Sequence, residues 1–342
     1  MTSSLPLLAG AALVTGLTGT SLTGAAVTEH GQRVASVVVQ PAQPGRPAAE
    51  GAVAASETAD VVGHLAARGV AARRRVLGYW TPRRMAAAAP IGLLGTVTGA
   101  LSTTSVPVPV RLRHGRTGGA QWNAGGWVTR TTGRVFLTID GVDFVCSASS
   151  VRSANRDLVV TAGHCVKNGG GAWADNWVFI PGYDRGRRPY GQFTARRMFV
   201  AGPWARDGDD SHDVGMVAVG RRDGRHLGDV AGAQDIAFGT PRGRQAHGFG
   251  FPADTPYDGE HLVYCAGPVR DDPHGQTGDQ GLRCDMTAGA SGGPWLSGFD
   301  PATGRGTVTS VSSFKYSDDR GTMYGPYFGE TARRLYTVAQ NS

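Results

Sequence analysis

The sequence predicts an all-β protein, either a sandwich or a barrel, that follows a long leader with little regular structure. From about Gly126 onward, short β-like runs alternate with turn residues. The chain also contains 52 Gly and 19 Pro, and only 18% of its residues are charged. Many short strands with frequent turns are typical of sandwiches and barrels. With 342 residues, the chain can bury the core of one large domain or of two ordinary ones.

The first pair of β-like runs carries the clearest hairpin signal. Residues 135–139 and 142–146 flank Asp140-Gly141, a dipeptide that favours a two-residue β-hairpin turn. The last segment, residues 330–339, has apolar residues at helical spacing and predicts a terminal helix. Further strands are predicted between the hairpin and the helix, at residues 158–161, 177–180, 191–200, 214–219, 245–251, 262–269, 281–286, 307–316 and 322–328.

The net charge of +7 belongs to the leader. Residues 1–120 contain 11 Arg and 4 acidic residues, whereas residues 121–342 contain 23 basic and 23 acidic residues. Because the part of the chain with predicted strands is neutral overall, its composition does not support a basic surface for nucleic acid. We therefore expect no nucleic-acid partner.

Residues 1–28 are predicted to be a secretory signal peptide. Residues 5–14 form an apolar run, and Gly24-Ala25-Ala26 supplies the small residues of a cleavage site. No Lys or Arg precedes the apolar run, so a disordered terminus is the alternative. Residues 29–120 are rich in Ala, Gly, Pro and Arg, and they are interpreted as a pro-segment or linker.

A second uncharged run, residues 85–110, is long enough to cross a bilayer. It contains Pro90, Pro107 and Pro109 together with several Gly, Ser and Thr residues. This composition favours a loose segment over a membrane span. We therefore expect no stable membrane anchor.

All four cysteines lie in the part of the chain with predicted strands. An even number of cysteines in an exported protein favours disulfides, and four cysteines allow three pairings. The pairs Cys146–Cys165 and Cys265–Cys284 close short local loops and are the pairing we expect. A zinc site is the alternative, but the sequence has no Cys-x-x-Cys spacing.

Three segments carry residue types that suit nucleophilic catalysis. His164 follows a β-like run in VVTAGHCV, Asp213 precedes another in SHDVGMVAV, and Ser291 lies in TAGASGGP. A serine hydroxyl needs a base to take its proton, and the base needs an acid to fix its tautomer. Each residue has another interpretation when it is taken alone. His164 is then a histidine at a strand end, Asp213 an acid in a solvated or calcium-binding loop, and Ser291 a turn residue. Their joint occurrence in this order favours a catalytic site.

The letters around Ser291 also fit Gly-x-Ser-x-Gly, the nucleophile elbow of the α/β-hydrolases. In that fold the histidine follows the nucleophile along the chain. No histidine occurs after Ser291. The elbow interpretation is therefore excluded.

The segments VVTAGHCV, HDVGMVAV and GASGGPW resemble the three catalytic blocks of the chymotrypsin-like serine peptidases. GYWTPRRM in the leader and CDMTAGASGGPW are similar to the secreted bacterial members related to glutamyl endopeptidases. The resemblance covers the chain from about Gly126 to its end. It implies two antiparallel six-stranded β-barrels with a C-terminal helix, a site in the cleft between the barrels, protein or peptide substrates, and no cofactor or metal.

The resemblance also implies a role for each residue. His164 would act as general base and then as general acid, and Asp213 would orient it, with Asp209 or Asp210 as alternatives. Ser291 would attack the substrate carbonyl. The backbone N–H groups of Gly289 and Ser291 would form the oxyanion hole. Cys146–Cys165 matches the disulfide that lies beside the catalytic histidine in this family.

Several positions depart from the digestive members of the family. Ala290 replaces the aspartate that pairs with a newly cut amino terminus, so that activation switch should be absent. Gly163 replaces the usual alanine. Asp285 stands where trypsin-like enzymes place an acid that favours Arg or Lys, although glutamate-specific relatives also carry an acid near this position. The residues expected on the pocket wall are Ser312, Ser313 and Lys315, and they leave the primary specificity open.

Four regions are therefore predicted: a signal peptide at residues 1–28, a pro-segment or linker at 29–120, a first barrel at 121–228, and a second barrel with the C-terminal helix at 229–342. The predicted function is a secreted bacterial serine endopeptidase that acts as a monomer through an acyl-enzyme. The alternative is a catalytically silent binding or adhesion protein on the same fold, which usually lacks a triad member.

Overall fold

A computed structural model describes residues 60–92 and 118–342 of the chain. The predicted signal peptide at residues 1–28 and most of the uncharged run at 85–110 lie outside the described residues. Within the two described ranges, no helix is both long enough and apolar enough to cross a membrane.

Six antiparallel strands close a barrel, here called the first barrel, between residues 132 and 219. Strand β8 pairs with both β7 and β9, and this double pairing closes the ring β4-β5-β6-β9-β8-β7. The strands are rich in β-branched and aromatic residues, which pack well on a half-buried sheet. They are β4 (Thr132–Ile139), β5 (Val142–Val151), β6 (Leu158–Thr161), β7 (Asp175–Pro181), β8 (Phe193–Ala201) and β9 (Gly215–Val219), after β1 (Val61–Leu65), β2 (Ala89–Pro90) and β3 (Ala120–Gln121).

The hairpin predicted at Asp140-Gly141 is confirmed. Ile139 pairs with Val142 across the turn. Asp140 and Gly141 have φ angles of 50° and 80°. Positive φ at both central residues defines the turn type whose twist matches the flanking strands, which is why this dipeptide is favoured there.

The strands from residue 235 onward form two sheets together with β3, and this part of the fold is called the second half. The larger sheet has the order β10-β16-β15-β11-β12-β3, and the smaller one has the order β13-β14-β17. The loop after β16 joins the two sheets, because Phe314 and Tyr324 form an antiparallel bridge. The strands are β10 (Asp235–Ile236), β11 (Gln245–Gly250), β12 (Val263–Pro268), β13 (Arg270–Asp271), β14 (Gln280–Arg283), β15 (Pro294–Asp300), β16 (Arg305–Val311) and β17 (Thr322–Gly325).

Strand β15 was absent from the strands that the sequence predicts. It begins with Pro294 and contains Gly298, and both residue types are depleted in strands. Its neighbours determine its conformation, since it pairs with β11 on one side and β16 on the other. Trp295 and Leu296 of this strand are fully buried.

Both expected disulfides are present. Cys146–Cys165 joins β5 to the segment after β6, and Cys265–Cys284 joins β12 to the residue after β14. The second bond therefore ties the two sheets of the second half together. No free cysteine occurs in the described residues.

Residues 60–92 of the leader pack on the first barrel, which their composition did not indicate. Strand β1 pairs antiparallel with β8, and β2 pairs parallel with β5. Trp80 is 2% exposed, and its Nε1 donates to the carbonyl oxygen of Asn176 at 2.5 Å. The α-helices in residues 60–92 and 118–342 are α1 (Gly69–Tyr79), α2 (Pro82–Ala87), α3 (Gly126–Thr131), α4 (Gly202–Asp207), α5 (Leu227–Val230) and α6 (Glu330–Gln340).

The leader motif GYWTPRRM supplies several of these contacts. Tyr79 donates its hydroxyl to Asp143 at 2.7 Å, and Arg84 pairs with the same carboxylate at 3.1 Å. Thr81 caps helix α2 by accepting from the N–H of Arg84, and Pro82 occupies the first turn. Met85 is buried. The motif is therefore a docking element for the barrel wall.

The predicted C-terminal helix is confirmed as α6. One face of the helix is buried through Ala332, Leu335 and Ala339. Arg334 on this helix pairs with Asp60, the residue before β1, at 2.8 Å. The helix thus contacts the leader as well as the barrels.

Candidate active site

His164 lies at the end of β6 in a short 3₁₀ helix, Gly163–Cys165. The disulfide Cys146–Cys165 ties this turn to β5, the neighbouring strand. The position before His164 is also constrained, because a Cβ on Gly163 would lie 2.8 Å from Asp213 Oδ1 and 2.9 Å from the Trp204 ring. Glycine at 163 therefore allows the histidine turn to approach the Asp213 carboxylate closely.

Asp213 holds His164 at two points. Its Oδ1 accepts from the backbone N–H of His164 and its Oδ2 contacts the ring Nδ1, each at 2.7 Å. Oδ2 also accepts from the hydroxyl of Ser313. The side chain of Asp213 is 1% exposed and that of His164 is 16% exposed. The ring is therefore fixed with its second nitrogen, Nε2, free for other partners.

The pair shifts the pKa of both groups. Burial opposes the charged form of His164, but the charge of Asp213 and its hydrogen bond outweigh burial and raise the pKa of His164, with a smaller contribution from Asp210. Burial also opposes ionisation of Asp213, yet His164 and the hydrogen bond from Ser313 lower its pKa. The geometry favours a negative Asp213 beside a histidine that readily accepts a proton.

Ser291 lies in a tight turn against the end of β6. Gly289 and Gly292 have φ angles of 93° and 79°, which L side chains rarely adopt. A Cβ on Gly292 would lie 2.0 Å from Thr161 Oγ1, so only glycine allows this approach. The carbonyl of Ser291 accepts from the N–H of Ser147 at 2.7 Å. The turn is thereby anchored to the first barrel.

Two polar atoms that the sequence predicts to take part in catalysis have no partners among the described residues. Ser291 Oγ and His164 Nε2 are both buried and form no hydrogen bond there. The backbone N–H groups of Gly289 and Ser291 likewise donate to no acceptor in the described part of the chain. Two N–H donors beside an unbonded hydroxyl form an arrangement that can stabilise an oxyanion.

The predicted pocket residues are placed differently from one another. Ser313 donates to Asp213, whereas the hydroxyl of Ser312 is buried and accepts from Trp295 Nε1 at 3.0 Å. Asp285 is exposed and accepts from the N–H of Gly119 at 2.6 Å and from the Tyr257 hydroxyl at 2.6 Å. The acid expected at the pocket base therefore already has two donors.

Lys315 is buried beside the segment that contains Asp285. Its Nζ donates to the carbonyl oxygens of Cys284 at 2.7 Å and Arg320 at 2.6 Å. Burial lowers its pKa to about 8, although the charge of Asp285 opposes this shift. A cation and an anion thus lie close together in this part of the molecule.

Ala290 is fully buried in the apolar cluster of the second half. A Cβ on Gly250 would lie 3.1 Å from it, which shows how closely the backbone packs there. The site therefore offers no carboxylate at this position to a new amino terminus, as the sequence indicated.

Sequence reasoning missed several residues that shape the site. Ser147 donates to the carbonyl of Gly289 at 2.9 Å and accepts from the N–H of Phe251 at 2.8 Å. The ring of Trp204 lies 6.4 Å from that of His164. Asp279 is 1% exposed, and neither of its carboxylate oxygens has a partner in the described residues. The residues around Ser147, Trp204 and Asp279 come from distant parts of the sequence, so no local motif predicts these surroundings.

Among the described residues, a single group has ligand atoms close enough for a metal ion: Cys146, His164 and Cys165. The two cysteines are joined to each other in a disulfide. Their sulfur atoms are therefore not thiolates, which are the form that binds metal. This group does not fit a metal centre.

The chain is similar to solved serine proteases. It is 39% identical to protease Anisep from Arthrobacter nicotinovorans, with a TM-score of 0.60, over 62% of this chain and 96% of that one. It is 38% identical to the thermostable serine protease AL20 from an extremophilic microorganism, with a TM-score of 0.60, over 63% of this chain and 99% of that one.

A curated relative gives a shorter match. The chain is 29% identical over 100 residues to an extracellular metalloprotease of Bacillus subtilis, and the match covers 29% of this chain and 32% of that protein. The chain thus spans about a third of the length of this relative. No family model matches the chain. The closed barrel, the site geometry and the 39% identity over nearly all of a solved protease lead to one conclusion: the chain belongs to the chymotrypsin-like serine proteases and is a peptidase.

Proposed function

We propose that the chain is a secreted endopeptidase that cleaves peptide bonds through Ser291, His164 and Asp213. The observation that carries this proposal is the pair of hydrogen bonds from His164 to Asp213, each at 2.7 Å, together with a Ser291 hydroxyl that has no partner in the described residues. The carbonyl oxygen of Ser291 lies 3.7 Å from Sγ of Cys165, the residue after His164. This combination provides a nucleophile, a base and a group that orients the base.

The first half of the reaction forms an acyl-enzyme. Asp213 accepts a hydrogen bond from the Nδ1–H of His164, which keeps that proton on Nδ1, so Nε2 carries the lone pair and takes the proton of Ser291 as Oγ attacks the substrate carbonyl carbon. The N–H groups of Gly289 and Ser291 stabilise the negative oxygen of the tetrahedral intermediate. The intermediate then collapses, the C–N bond breaks, and His164 gives its proton to the departing amine.

The second half repeats these steps with water. His164 Nε2 removes a proton from the water, whose oxygen attacks the ester carbonyl. A second tetrahedral intermediate forms in the same N–H pair. Its collapse breaks the bond to Ser291 Oγ, which recovers the proton from His164.

We assign primary specificity to Asp285 and Lys315 acting together. Asp285 already accepts two hydrogen bonds, and Lys315 places a positive charge near it. A pocket that holds both charges should favour Arg or Lys at the cleaved position less strongly than a pocket with a lone acid does. Ser312 and Ser313 would shape the wall, with their hydroxyls engaged by Trp295 and Asp213.

Export is supported by three features. Residues 5–14 are apolar, both cysteine pairs form disulfides, and the curated relative is named as an extracellular enzyme. Disulfides persist in oxidising compartments. N-terminal sequencing of protein from the culture medium should find residues 1–28 removed, and intact cytosolic protein would contradict export.

The deciding experiment is labelling with a fluorophosphonate, which reacts with activated serines. The wild-type chain should be labelled at Ser291 and should cleave casein, and Ser291→Ala should lose both. Ser297→Ala is the matched control, because Ser297 is also buried in the second half and its hydroxyl is hydrogen-bonded to that of Thr309 at 2.9 Å. Labelling that persists in Ser291→Ala would remove this serine from the mechanism.

The same experiment separates the alternative function. A catalytically silent binding protein on this fold would be neither labelled nor active, although it would fold. Mapping cleavage sites in a peptide library with the wild type, Asp285→Asn and Lys315→Met would then define the primary specificity. Unchanged site preferences in both variants would exclude these residues from the pocket.

A further inference from the structure

A large basic cavity lies at the opposite end of the first barrel from His164. Its volume is about 1020 Å³. Strands β6 and β9 connect the two ends: His164 follows Thr161, whereas Asp157, which lines the cavity, precedes Leu158. At about 3.4 Å per residue, the length of β6 alone separates the two regions by more than 10 Å. The cavity is therefore distinct from the candidate active site.

Arginine side chains dominate the lining of this cavity. They come from the leader, from the loop before β6, from β8 and from the turn after β9, so they are scattered along the sequence. Their assembly requires the leader to be docked, because strand β1 and helix α1 bring two of them to the barrel. The six residues are Arg68, Arg73, Arg156, Arg196, Arg197 and Arg221.

Most of these charges have no acidic partner. Within residues 60–92 and 118–342, Arg156 pairs with Asp229, but Arg68, Arg73, Arg197 and Arg221 form no ion pair with an acidic side chain. The Nε of Arg197 is buried and has no hydrogen-bond partner among these residues. Arg196 donates to the carbonyl oxygen of Ser342, which also lines the cavity. Within the described part of the chain, the cavity therefore carries several positive charges that lack an acidic side-chain partner.

The acidic groups at the cavity are already engaged. Asp157 contacts Nδ1 of His226 at 2.7 Å and also accepts from the N–H of Leu227 at 2.9 Å. Asp223 lies 3.6 Å from Arg222 and is widely exposed. Neither carboxylate pairs with one of the six arginines in the described part of the chain.

The arginines are close enough to repel one another. Burial is the largest cause that lowers the pKa of Arg196, and the charges of Arg197 and Arg221 lower it further, against the opposing charge of Asp157. The side chain of Arg73 packs against Gly220, since a Cβ added to Gly220 would lie 3.1 Å from Arg73 Cδ. Nη1 of Arg73 donates to the carbonyl oxygen of Arg221 at 3.4 Å. A bound anion would relieve this repulsion.

We propose that this cavity is an anion-binding site for an acidic stretch of polypeptide, separate from the site of peptide-bond cleavage. Guanidinium groups from four segments suit several separate anionic groups, because each one can bind a carboxylate through two N–H donors. The volume is that of a site for a ligand of several residues rather than for one small ion. A peptidase handles polypeptides, and Asp or Glu side chains supply carboxylates at regular spacing.

The test measures binding without cleavage. The full chain carrying Ser291→Ala would be titrated into a dye-labelled oligoglutamate peptide, with an oligoglutamine peptide of equal length as the neutral control, and anisotropy would be recorded. We expect oligoglutamate to bind and oligoglutamine not to bind. Binding should weaken as ionic strength rises, because exposed charges are screened.

Two variants locate the site. Adding Arg73→Gln and Arg221→Gln together should weaken oligoglutamate binding by about tenfold, since two unpaired charges are removed. Arg244→Gln and Arg270→Gln together are the charge-matched control, because both residues are exposed in the second half and neither forms an ion pair in the described residues. Arg68→Gln provides a second variant at an exposed position, should the double variant unfold.

Several outcomes would overturn the proposal. The first is the absence of oligoglutamate binding at low ionic strength. The second is a loss of binding in the control variant as large as that caused by Arg73→Gln and Arg221→Gln together. Inorganic phosphate that displaces the peptide and binds as tightly alone would assign the cavity to a small anion. A single-stranded oligonucleotide that binds more tightly than oligoglutamate would assign it to nucleic acid. Because Ser291→Ala is used throughout, none of these results depends on the proposed catalytic triad.

Discussion

Asp213 accepts two hydrogen bonds from one residue, His164: the backbone N–H reaches its Oδ1 and the ring Nδ1 reaches its Oδ2, each at 2.7 Å. The first bond fixes where the histidine turn lies, and the second fixes how its ring is oriented. A carboxylate that does both is difficult to replace. This pair of contacts supports Asp213, rather than Asp209 or Asp210, as the acid of the proposed site.

Asp213→Asn should therefore reduce kcat by about a thousandfold or more, because an amide can present an N–H toward Nδ1 and favour the wrong tautomer. The steady-state rate on a peptide substrate measures this loss. Asp209→Asn is the control, since Asp209 caps Ser211 at 3.0 Å and contacts His212 at 3.0 Å rather than His164. A larger loss in Asp209→Asn or in Asp210→Asn than in Asp213→Asn would reassign the acid.

The pH dependence of kcat/KM should report the raised pKa of His164. The base must be neutral to act, and although burial opposes its charged form, Asp213 raises its pKa above the ordinary value of 6.5. Activity should therefore fall as pH decreases through a midpoint above 6.5. Asp210 also raises this pKa, so Asp210→Asn should move the midpoint to lower pH by a fraction of a unit, on the order expected for one nearby charge.

The control for this pH profile is Asp223→Asn, which removes an exposed acid at the other end of the barrel. It should leave the midpoint where the wild type has it. A wild-type midpoint below the ordinary histidine value, or an equal shift in both variants, would contradict the assignment of His164 as the base.

Asp279 should make the stability of the fold depend on pH. Burial, followed by the charges of Asp213, Asp210, Asp272 and Asp209, raises its pKa from 3.8 to about 9. The folded chain therefore binds a proton that the unfolded chain releases above its own lower pKa. The contribution of this group to stability is complete below about pH 4 and is lost progressively as pH rises toward about 9.

Asp279→Asn should remove this dependence and raise the free energy of unfolding at alkaline pH by a few kcal/mol. This magnitude is on the order of the pKa shift converted at about 1.36 kcal/mol per unit and then reduced for relaxation of the structure. Urea unfolding at pH 5 and pH 9 measures it. Asp271→Asn, an exposed acid on β13, should change neither value appreciably. Equal destabilisation of Asp279→Asn at both pH values would show that the carboxylate has a structural partner.

The leader should contribute directly to the stability of the first barrel. Trp80 is 2% exposed, packs against Phe136 with 5.5 Å between ring centroids, and donates to Asn176. Trp80→Ala should lower the free energy of unfolding by about 3–5 kcal/mol, the usual cost of removing a large buried ring. Leu77→Ala in helix α1, where the side chain is 38% exposed, should cost much less.

Denaturation followed by tryptophan-independent circular dichroism would measure both variants. A Trp80→Ala protein as stable as the wild type would mean that the leader rests on the barrel without stabilising it. The comparison with Leu77→Ala separates the burial of Trp80 from the general effect of truncating an apolar side chain, since both residues lie in or beside the same helix.

Features that depend on neighbours along the chain can be predicted from the sequence alone. Asp140-Gly141 specified its hairpin through the two positive φ angles that the turn requires, and the spacing of Ala332, Leu335 and Ala339 specified a helix with one buried face. The local disulfides and the motifs around His164, Asp213 and Ser291 were also readable, because each lies within a short segment. Their spatial convergence was an expectation from family resemblance.

Other features of the protein depend on contacts between distant segments and become visible only in the tertiary structure. Strand β15 forms despite Pro294 and Gly298 because β11 and β16 satisfy its backbone. The unpartnered carboxyl of Asp279 and the cavity that joins Arg73 to Arg221 could not be read from composition, which counts charges but not their positions. A residue's pKa, its partners and the charge of a surface follow from the groups that folding brings near it, and those groups come from separate parts of the sequence.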